Sequence, residues 1–123
     1  MLSNIKQIAV PVADLDASKA FYGQHLGLTQ VFEVPGQLAF YDLGGVWLML
    51  SQATAEEQAR PGSVLYFAVD DIHAEHADLR ARGVDFVDEP HRIADMGTYE
   101  LWMSFFRDPD GTLLAIRAEI KKD

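Results

Sequence analysis

Along this chain, short stretches of alternating apolar and polar residues are separated by stretches with helical periodicity, and the same order of patterns occurs twice. Gln7 to Val12 alternates and is rich in β-branched residues, which predicts a strand. Asp14 then stands where a helix N-cap is expected. Leu15, Ser18, Tyr22 and Leu26, with Phe21 beside them, form one apolar stripe at 3–4-residue spacing that Gly27 ends. Gln30 to Val34 reads as a strand followed by a Pro35-Gly36 turn. Leu38–Leu43 and Val46–Leu50 flank Gly44-Gly45, a strong hairpin signal. After a polar stretch the pattern restarts. Val64 to Val69 predicts a strand, and Asp71 caps a helix to Arg82 whose stripe is Ile72, His76 and Leu79. Gly83 stops it, and Val84 to Val87 is a short strand. Pro90 to Gly97 reads as a loop. Tyr99–Phe106 and Thr112–Arg117 flank the turn Asp108-Pro-Asp-Gly111. The tail from Glu119 to Asp123 is charged and is expected to fray.

Sliding the sequence by 57 positions superposes Val12 on Val69, Asp14 on Asp71, Leu15 on Ile72, Ala17 on Ala74 and Ala20 on Ala77. The helix-ending glycines, Gly27 and Gly83, fall one residue out of step. A period this long in two copies predicts two fused supersecondary modules, not a solenoid. The expected class is α+β: two tandem βαβββ modules whose curled mixed sheets form a cup. Residues 1–123 are read as a single domain, with module one over 4–51, a linker over 52–62 with room for a helical turn, and module two over 63–118.

Composition narrows the function classes. A chain of 123 residues, 49% hydrophobic, can bury a sizeable core as one domain. It has no cysteine, which removes disulfides, thiolate nucleophiles and thiolate metal sites. A net charge of −9 repels phosphate, so no nucleic-acid partner is expected. The longest apolar runs fall well short of the ~20 residues that cross a bilayer, so no membrane partner is expected either, and the default location is cytoplasmic.

Strand alternation sorts the chemistry. With Ile8, Val10 and Val12 against the helix, Gln7, Ala9 and Pro11 face the cup. By the same parity Trp47, Met49 and Ser51 face it in module one. In module two Val64, Tyr66 and Ala68 do so, with Met103 and Phe105, and Leu113, Ala115 and Arg117. Trp47, Met49, Tyr66, Met103 and Phe105 either line a pocket for a small planar or apolar ligand or pack to close the cup. His91 and Arg92 sit in the predicted loop. They either meet an anionic group, with His91 as a base, or are simply solvated. His73 and His76 have ligand-like i, i+3 spacing but belong to a helix behind the sheet, where packing is the expected role. His25 near the end of the first helix is a favourable C-terminal cation when protonated. Asp108 and Asp110 are assigned to the turn, and Glu100 is left unplaced between the helix side and the strand edge.

The runs Ile8-Ala-Val-Pro-Val-Ala-Asp-Leu15, Phe21-Tyr22…Leu26-Gly27-Leu28, Val69-Asp-Asp71 and Phe106-Arg-Asp-Pro-Asp-Gly111 together resemble the vicinal oxygen chelate superfamily. Its members include glyoxalase I, extradiol dioxygenases, fosfomycin-resistance thiol transferases and bleomycin-resistance proteins. The resemblance covers about residues 4–118 and implies a paired βαβββ fold, the cup as ligand site, and a homodimer. It also implies metal ligands (His, Gln or Glu) at four inward positions, which here are Gln7, Met49, Val64 and Ala115. Only Gln7 can coordinate anything; it reads as a relic ligand, as a hydrogen-bond donor to a bound molecule, or as an ordinary polar group on the pocket floor. A catalytic divalent site needs about three protein ligands, so neither a metal nor another cofactor is expected.

The expected function is therefore metal-independent binding of a small, largely apolar or aromatic molecule, like the sequestration performed by bleomycin-resistance proteins. The ligand-binding candidates are Gln7, Trp47, Met49, Val64, Tyr66, His91, Arg92, Met103, Phe105 and Ala115; no catalytic residue is assigned. The alternative is a glyoxalase-like lyase or isomerase, a dioxygenase or a thiol transferase, with a non-standard metal site (Gln7 with His91, for instance) or metal-free acid–base work by His91 and Tyr66. A weaker third reading is a subunit whose main role is association with another protein.

Overall fold

The computed structural model describes residue 3, residues 5–55 and residues 63–123. The chain divides into two compact units, Met1–Ser63 and Val64–Asp123, and each carries one mixed sheet with a helix on one face.

In the first unit β1 (Gln7–Val12), β2 (Thr29–Val34), β3 (Leu38–Leu43) and β4 (Val46–Gln52) form a sheet in the order β1-β4-β3-β2, with β1 parallel to β4. Leu48 and Leu50 of β4, Val10 and Val12 of β1, and Ala39 and Tyr41 of β3 all point to one face and are buried there with Leu15, Phe21 and Tyr22 of the helix. This is the period-2 division that alternation predicts, and removal of these apolar side chains from water drives it. Gly44 and Gly45 both take positive φ (68° and 97°), the pair of values that a two-residue type I′ hairpin requires. They lock β3 to β4 with Asp42 opposite Trp47 and Phe40 opposite Met49.

The first helix departs from the single α-helix expected. Helix α1 (Leu15–Lys19) passes into a π-helical segment, Ala20–His25. Leu26 N–H donates to Phe21 C=O at 2.9 Å, five residues back. The cause is visible in the repeat. Thirteen residues separate Asp14 from Gly27 but twelve separate Asp71 from Gly83, and a π turn is how a helix takes in one inserted residue without moving its ends. Asp14 does cap the helix, accepting from Ala17 N–H at 3.2 Å. Gln52, read as the first linker residue, is the last residue of β4; its Oε1 accepts from Leu15 N–H at 3.0 Å and its Nε2 donates to Ala13 C=O at 2.6 Å. It thereby satisfies a helix-start donor that the cap leaves open. Residues 56–62, which include most of the predicted linker and its helical turn, lie outside the described residues, as does residue 4.

The second unit repeats this plan. Strands β5 (Leu65–Ala68), β6 (Asp85–Phe86), β8 (Tyr99–Arg107) and β9 (Leu113–Lys121) are ordered β5-β9-β8-β6, with β5 parallel to β9. Helix α2 (Ile72–Ala81) is capped by Asp71, which accepts from Ala74 N–H at 3.1 Å, and it buries Ile72, His76 and Leu79 as its stripe predicts. Two readings are corrected here. The predicted loop from Pro90 to Gly97 contains a strand, β7 (His91–Asp95), paired with β8. Strands β6 and β7 run along the same edge of β8 as one interrupted strand, the counterpart of β2. The tail does not fray: β9 continues to Lys121, and the Lys122 ammonium grips the Asp95 carboxylate at 2.8 and 2.9 Å.

The interruption between β6 and β7 is bridged by a side chain. Asp88 Oδ1 accepts from Phe105 N–H at 2.8 Å and from Ser104 Oγ at 3.2 Å, so a carboxylate stands in for the ladder carbonyl that a continuous strand would supply. Among the described residues, no helix is long and apolar enough to cross a membrane.

Candidate functional site

Each sheet has a second face that its helix does not cover, and both are built by the same rungs. In the first unit one rung is Gln7–Trp47–Asp42 and the next is Ala9–Met49–Phe40–Phe32. Gln7 Nε2 lies 3.9 Å from Met49 Sδ, so the structure brings two of the expected positions into contact. The Phe40 ring sits 5.3 Å from Trp47 and 6.4 Å from Phe32, giving a run of tilted aromatics. Trp47 is 42% exposed and Phe32 56%.

Phe32 and Phe40 were not foreseen as site residues. Phe40 follows from the hairpin register, because opposed residues share a face. Phe32 does not. Simple alternation puts Gln30 and Phe32 on one face, but a bulge at Val31 leaves Gln30 opposite the buried Tyr41 and turns Phe32 toward Phe40.

In the second unit the corresponding rung is Tyr66–Ala115–Phe105. The Tyr66 and Phe105 rings meet edge-to-face at 6.3 Å across Ala115, which is fully buried between them, whereas Tyr66 itself is half exposed. Val64, just before β5, lies exposed at the edge of this face. The next rung is Ala68–Arg117–Met103–His91. Thus Val64, Tyr66, Met103, Phe105, Ala115 and His91 share one face, and Arg117 shares it with them.

Arg92 does not. It pairs with Trp102, whose side chain turns to the helix side and meets His73 at 5.5 Å between ring centroids. The Arg92 guanidinium stands 3.4 Å from Glu100, which also accepts from Trp102 Nε1 at 3.1 Å. This places Glu100 on the helix side and separates the two neighbours nominated together: His91 and Arg92 occupy opposite faces of β7. The loop expectation hid this, because only in a strand do consecutive side chains point apart.

His91 is about half exposed. Its Nδ1 lies 2.8 Å from Glu89 C=O, which fixes that nitrogen as donor and leaves Nε2 as the free ring position. His76 is buried behind the sheet, stacked on Phe86 at 4.3 Å, with Glu89 3.7 Å from its Nε2. Its ligand-like spacing from His73 therefore serves packing.

The second unit has hollows beside its sheet. One of about 540 Å³ runs along Arg80 and residues 83–89. Much of its charged lining is engaged: Glu89 pairs with Arg80 at 3.6 Å and Asp88 holds β8. Another, of about 310 Å³, opens beside Arg117 between Asp70 and Glu119.

The donor set at the four metal-ligand positions can be tested on this geometry. Gln7 supplies one neutral amide and Met49 a thioether. Val64 and Ala115 supply no donor atom, and Ala115 is fully buried between two rings. Hard divalent ions need several oxygen or imidazole ligands, so these residues do not fit such a centre. Among the described residues, no three of His, Asp and Glu converge elsewhere.

Comparison with known proteins agrees with this architecture. A protein of Bacillus subtilis (strain 168), called uncharacterized protein YraH, is 30% identical over 89% of this chain and 94% of its own length. The crystal structure of lactoylglutathione lyase from Agrobacterium tumefaciens superposes with a TM-score of 0.74 at 27% identity, covering 94% of this chain and 93% of that one. A glyoxalase/bleomycin resistance protein/dioxygenase from Nocardioides shares the fold with a TM-score of 0.76 at 24% identity, over 100% of this chain and 87% of that one. The family model of the glyoxalase/bleomycin resistance protein/dioxygenase superfamily matches residues 4–116, and the chain belongs to that superfamily.

Proposed function

We propose that this protein binds a small, largely apolar or aromatic molecule on the uncovered sheet faces, without a metal and without covalent turnover, as a bleomycin-resistance protein does. One observation carries the reading. The four positions where the superfamily's metalloenzymes place ligands hold Gln7, Met49, Val64 and Ala115, and the last is sealed between Tyr66 and Phe105. In place of donors the faces present Phe32, Phe40, Trp47, Tyr66 and Phe105, large rings that remain partly exposed. Exposed aromatics gathered on one face mark binding surfaces more often than solvated ones. Gln7, with its amide against Met49, supplies a polar contact that orients the ligand. The exposed Val31 and Phe32 on the edge strand β2 support a homodimer, which light scattering on purified protein measures directly.

The test is elemental analysis of tag-free protein grown with added Zn, Ni, Mn and Fe, followed by dialysis. The expected content is below about a tenth of an ion per chain; about one ion surviving dialysis overturns the proposal, because a structural or catalytic site of useful affinity retains its metal. The likeness to the Agrobacterium lyase supports the second reading, an enzyme with ligands outside the usual four positions. That reading requires the metal content just described, or turnover that survives chelation and is lost on His91→Gln.

A further inference from the structure

The open face of the second unit is not uniformly apolar. One rung, Tyr66–Ala115–Phe105, is aromatic with a small residue at its centre. The adjacent rung carries Arg117 at its centre, two residues along β9 from Ala115 and therefore on the same face. Rungs two residues apart are about 7 Å from one another, close to the span from the ring of a bicyclic aromatic carboxylate, through a carboxylate roughly 4–5 Å away, to a guanidinium about 2.8 Å beyond it. We propose that the ligand of this face is an aromatic carboxylate, its ring against Tyr66 and Phe105 and its anionic group on the Arg117 guanidinium. This deepens the binding function proposed above and rests on it.

Three features of the site favour an anion at Arg117 over the other cations of the neighbourhood. Arg117 is only partly exposed, and its side-chain partner Glu119 stands at 3.6 Å, beyond a good hydrogen bond. A guanidinium has five donors in a planar fork, so it can meet a ligand carboxylate while keeping a loose contact with Glu119. His91, at the far end of the same rung, has its Nδ1 hydrogen on Glu89 C=O, which leaves it one ring nitrogen to turn to a ligand, against the planar fork of Arg117. Arg92 is turned to the other face and paired with Glu100. The acidic groups beside the hollow at Arg117, Asp70 and Glu119, oppose a second negative charge there. The site therefore suits one carboxylate and not a phosphate or a dicarboxylate.

The probes are 1-naphthoate, its neutral counterpart 1-naphthalenemethanol and the cation 1-naphthylmethylamine, titrated into the full chain by calorimetry at low salt. The expected order is naphthoate tightest, by roughly tenfold over the alcohol, as for a partly desolvated charge-assisted pair. Arg117→Met should erase that preference while leaving the alcohol's affinity within about twofold. Arg80→Met makes the same change in net charge on α2 and should alter neither. Equal binding of naphthoate and the alcohol by the native protein, or equal weakening of both by Arg117→Met, overturns the anionic subsite and leaves the aromatic-binding reading intact. Failure of all three probes to bind overturns both. If Arg117→Met does not fold, the carboxylate-to-alcohol ratio of the native protein decides alone.

Discussion

Replacing Asp88 by alanine probes how the second unit holds its open face in register. Between β6 and β7 the backbone leaves β8, and the carboxylate fills the gap: Oδ1 accepts from Phe105 N–H at 2.8 Å and from Ser104 Oγ at 3.2 Å. Ser104 is fully buried but also donates to Asp88 C=O at 3.0 Å, a bond the substitution spares. The main loss is therefore the Phe105 N–H, which is left without an acceptor in the strand that carries the Phe105 ring. A hydrogen bond to a charged acceptor contributes about 1.5–3 kcal/mol, and stranding a buried donor costs about as much again as losing a neutral bond. Counting one charged bond in full and the Ser104 bond at a fraction, Asp88→Ala should cost about 2–3 kcal/mol. Asp88→Asn keeps an oxygen in the same place and forfeits only the charge assistance, so it should cost about 1 kcal/mol. Urea denaturation followed by tryptophan fluorescence and circular dichroism gives both values. Amide exchange should show the Phe105 N–H losing protection in the alanine variant before the rest of β8. The bridging role is refuted if Asp88→Ala lies within about 0.5 kcal/mol of the native protein, or if asparagine is as damaging as alanine.

Three further outcomes follow from the same structure. Asp14→Ala and Asp71→Ala should each cost about 1 kcal/mol, since each removes one cap bond of the same length class in the two copies of the repeat, and urea melts of the single and double variants should be additive. At the β3–β4 hairpin, Gly44→Ala should cost about 1–2 kcal/mol from backbone strain alone, because φ is +68° and a Cβ there meets nothing within 4 Å; no loss in a thermal melt would contradict the type I′ turn. The hydrogen bond from Lys122, with that from Gly97 N–H, holds the Asp95 carboxyl below its ordinary 3.8. A carboxyl lowered by folding contributes stability that is present above about pH 3.8 and is lost as pH falls through the lower folded value, so Lys122→Met should lower stability slightly at neutral pH, flatten the acid limb, and match the native protein once pH is below that lower value.

Most of the fold is legible in the sequence because the repeat states it twice. The caps at Asp14 and Asp71, the stripe Ile72–His76–Leu79 and the Gly44-Gly45 hairpin are local signals, and the burial of Val10, Val12, Leu48 and Leu50 follows from alternation alone. The failures have physical causes. The extra residue between Asp14 and Gly27 was visible, but only packing decides that it becomes a π turn rather than a longer loop. Strand β7 carries His91, Arg92 and Asp95 because it lies at a sheet edge, where charges are tolerated and discourage further pairing, so its composition imitates a loop. The loop reading also grouped His91 with Arg92, which strand β7 turns to opposite faces. Phe32 needed a bulge that nothing in Gln30-Val31-Phe32 announces. Arg117 was on the right face by parity but, set among apolar neighbours, was not weighed as a binding residue.

The two copies show how one backbone can be turned to different chemistry. The rungs Ala9–Met49–Phe40 and Tyr66–Ala115–Phe105 occupy equivalent places, with a phenylalanine retained on the third strand of each module, yet bulk has moved from the last strand of one (Met49) to the first strand of the other (Tyr66). The rungs beyond them differ in charge: Pro11–Ser51–Leu38 in the first copy is neutral, whereas Ala68–Arg117–Met103 in the second carries a cation. The buried apolar residues of both sheets, Ala115 apart, lie on the helix side. Leaving rings such as Trp47, Phe32 and Tyr66 in water forgoes on the order of 1.5 kcal/mol or more apiece relative to burial. A fold that keeps such residues on its uncovered faces, beside Gln7, Met49, Val64 and Ala115, would regain that energy if a ligand covered them, as the proposed binding function requires. Affinity should therefore follow the apolar area of the ligand first, and its charge only where Arg117 can reach it.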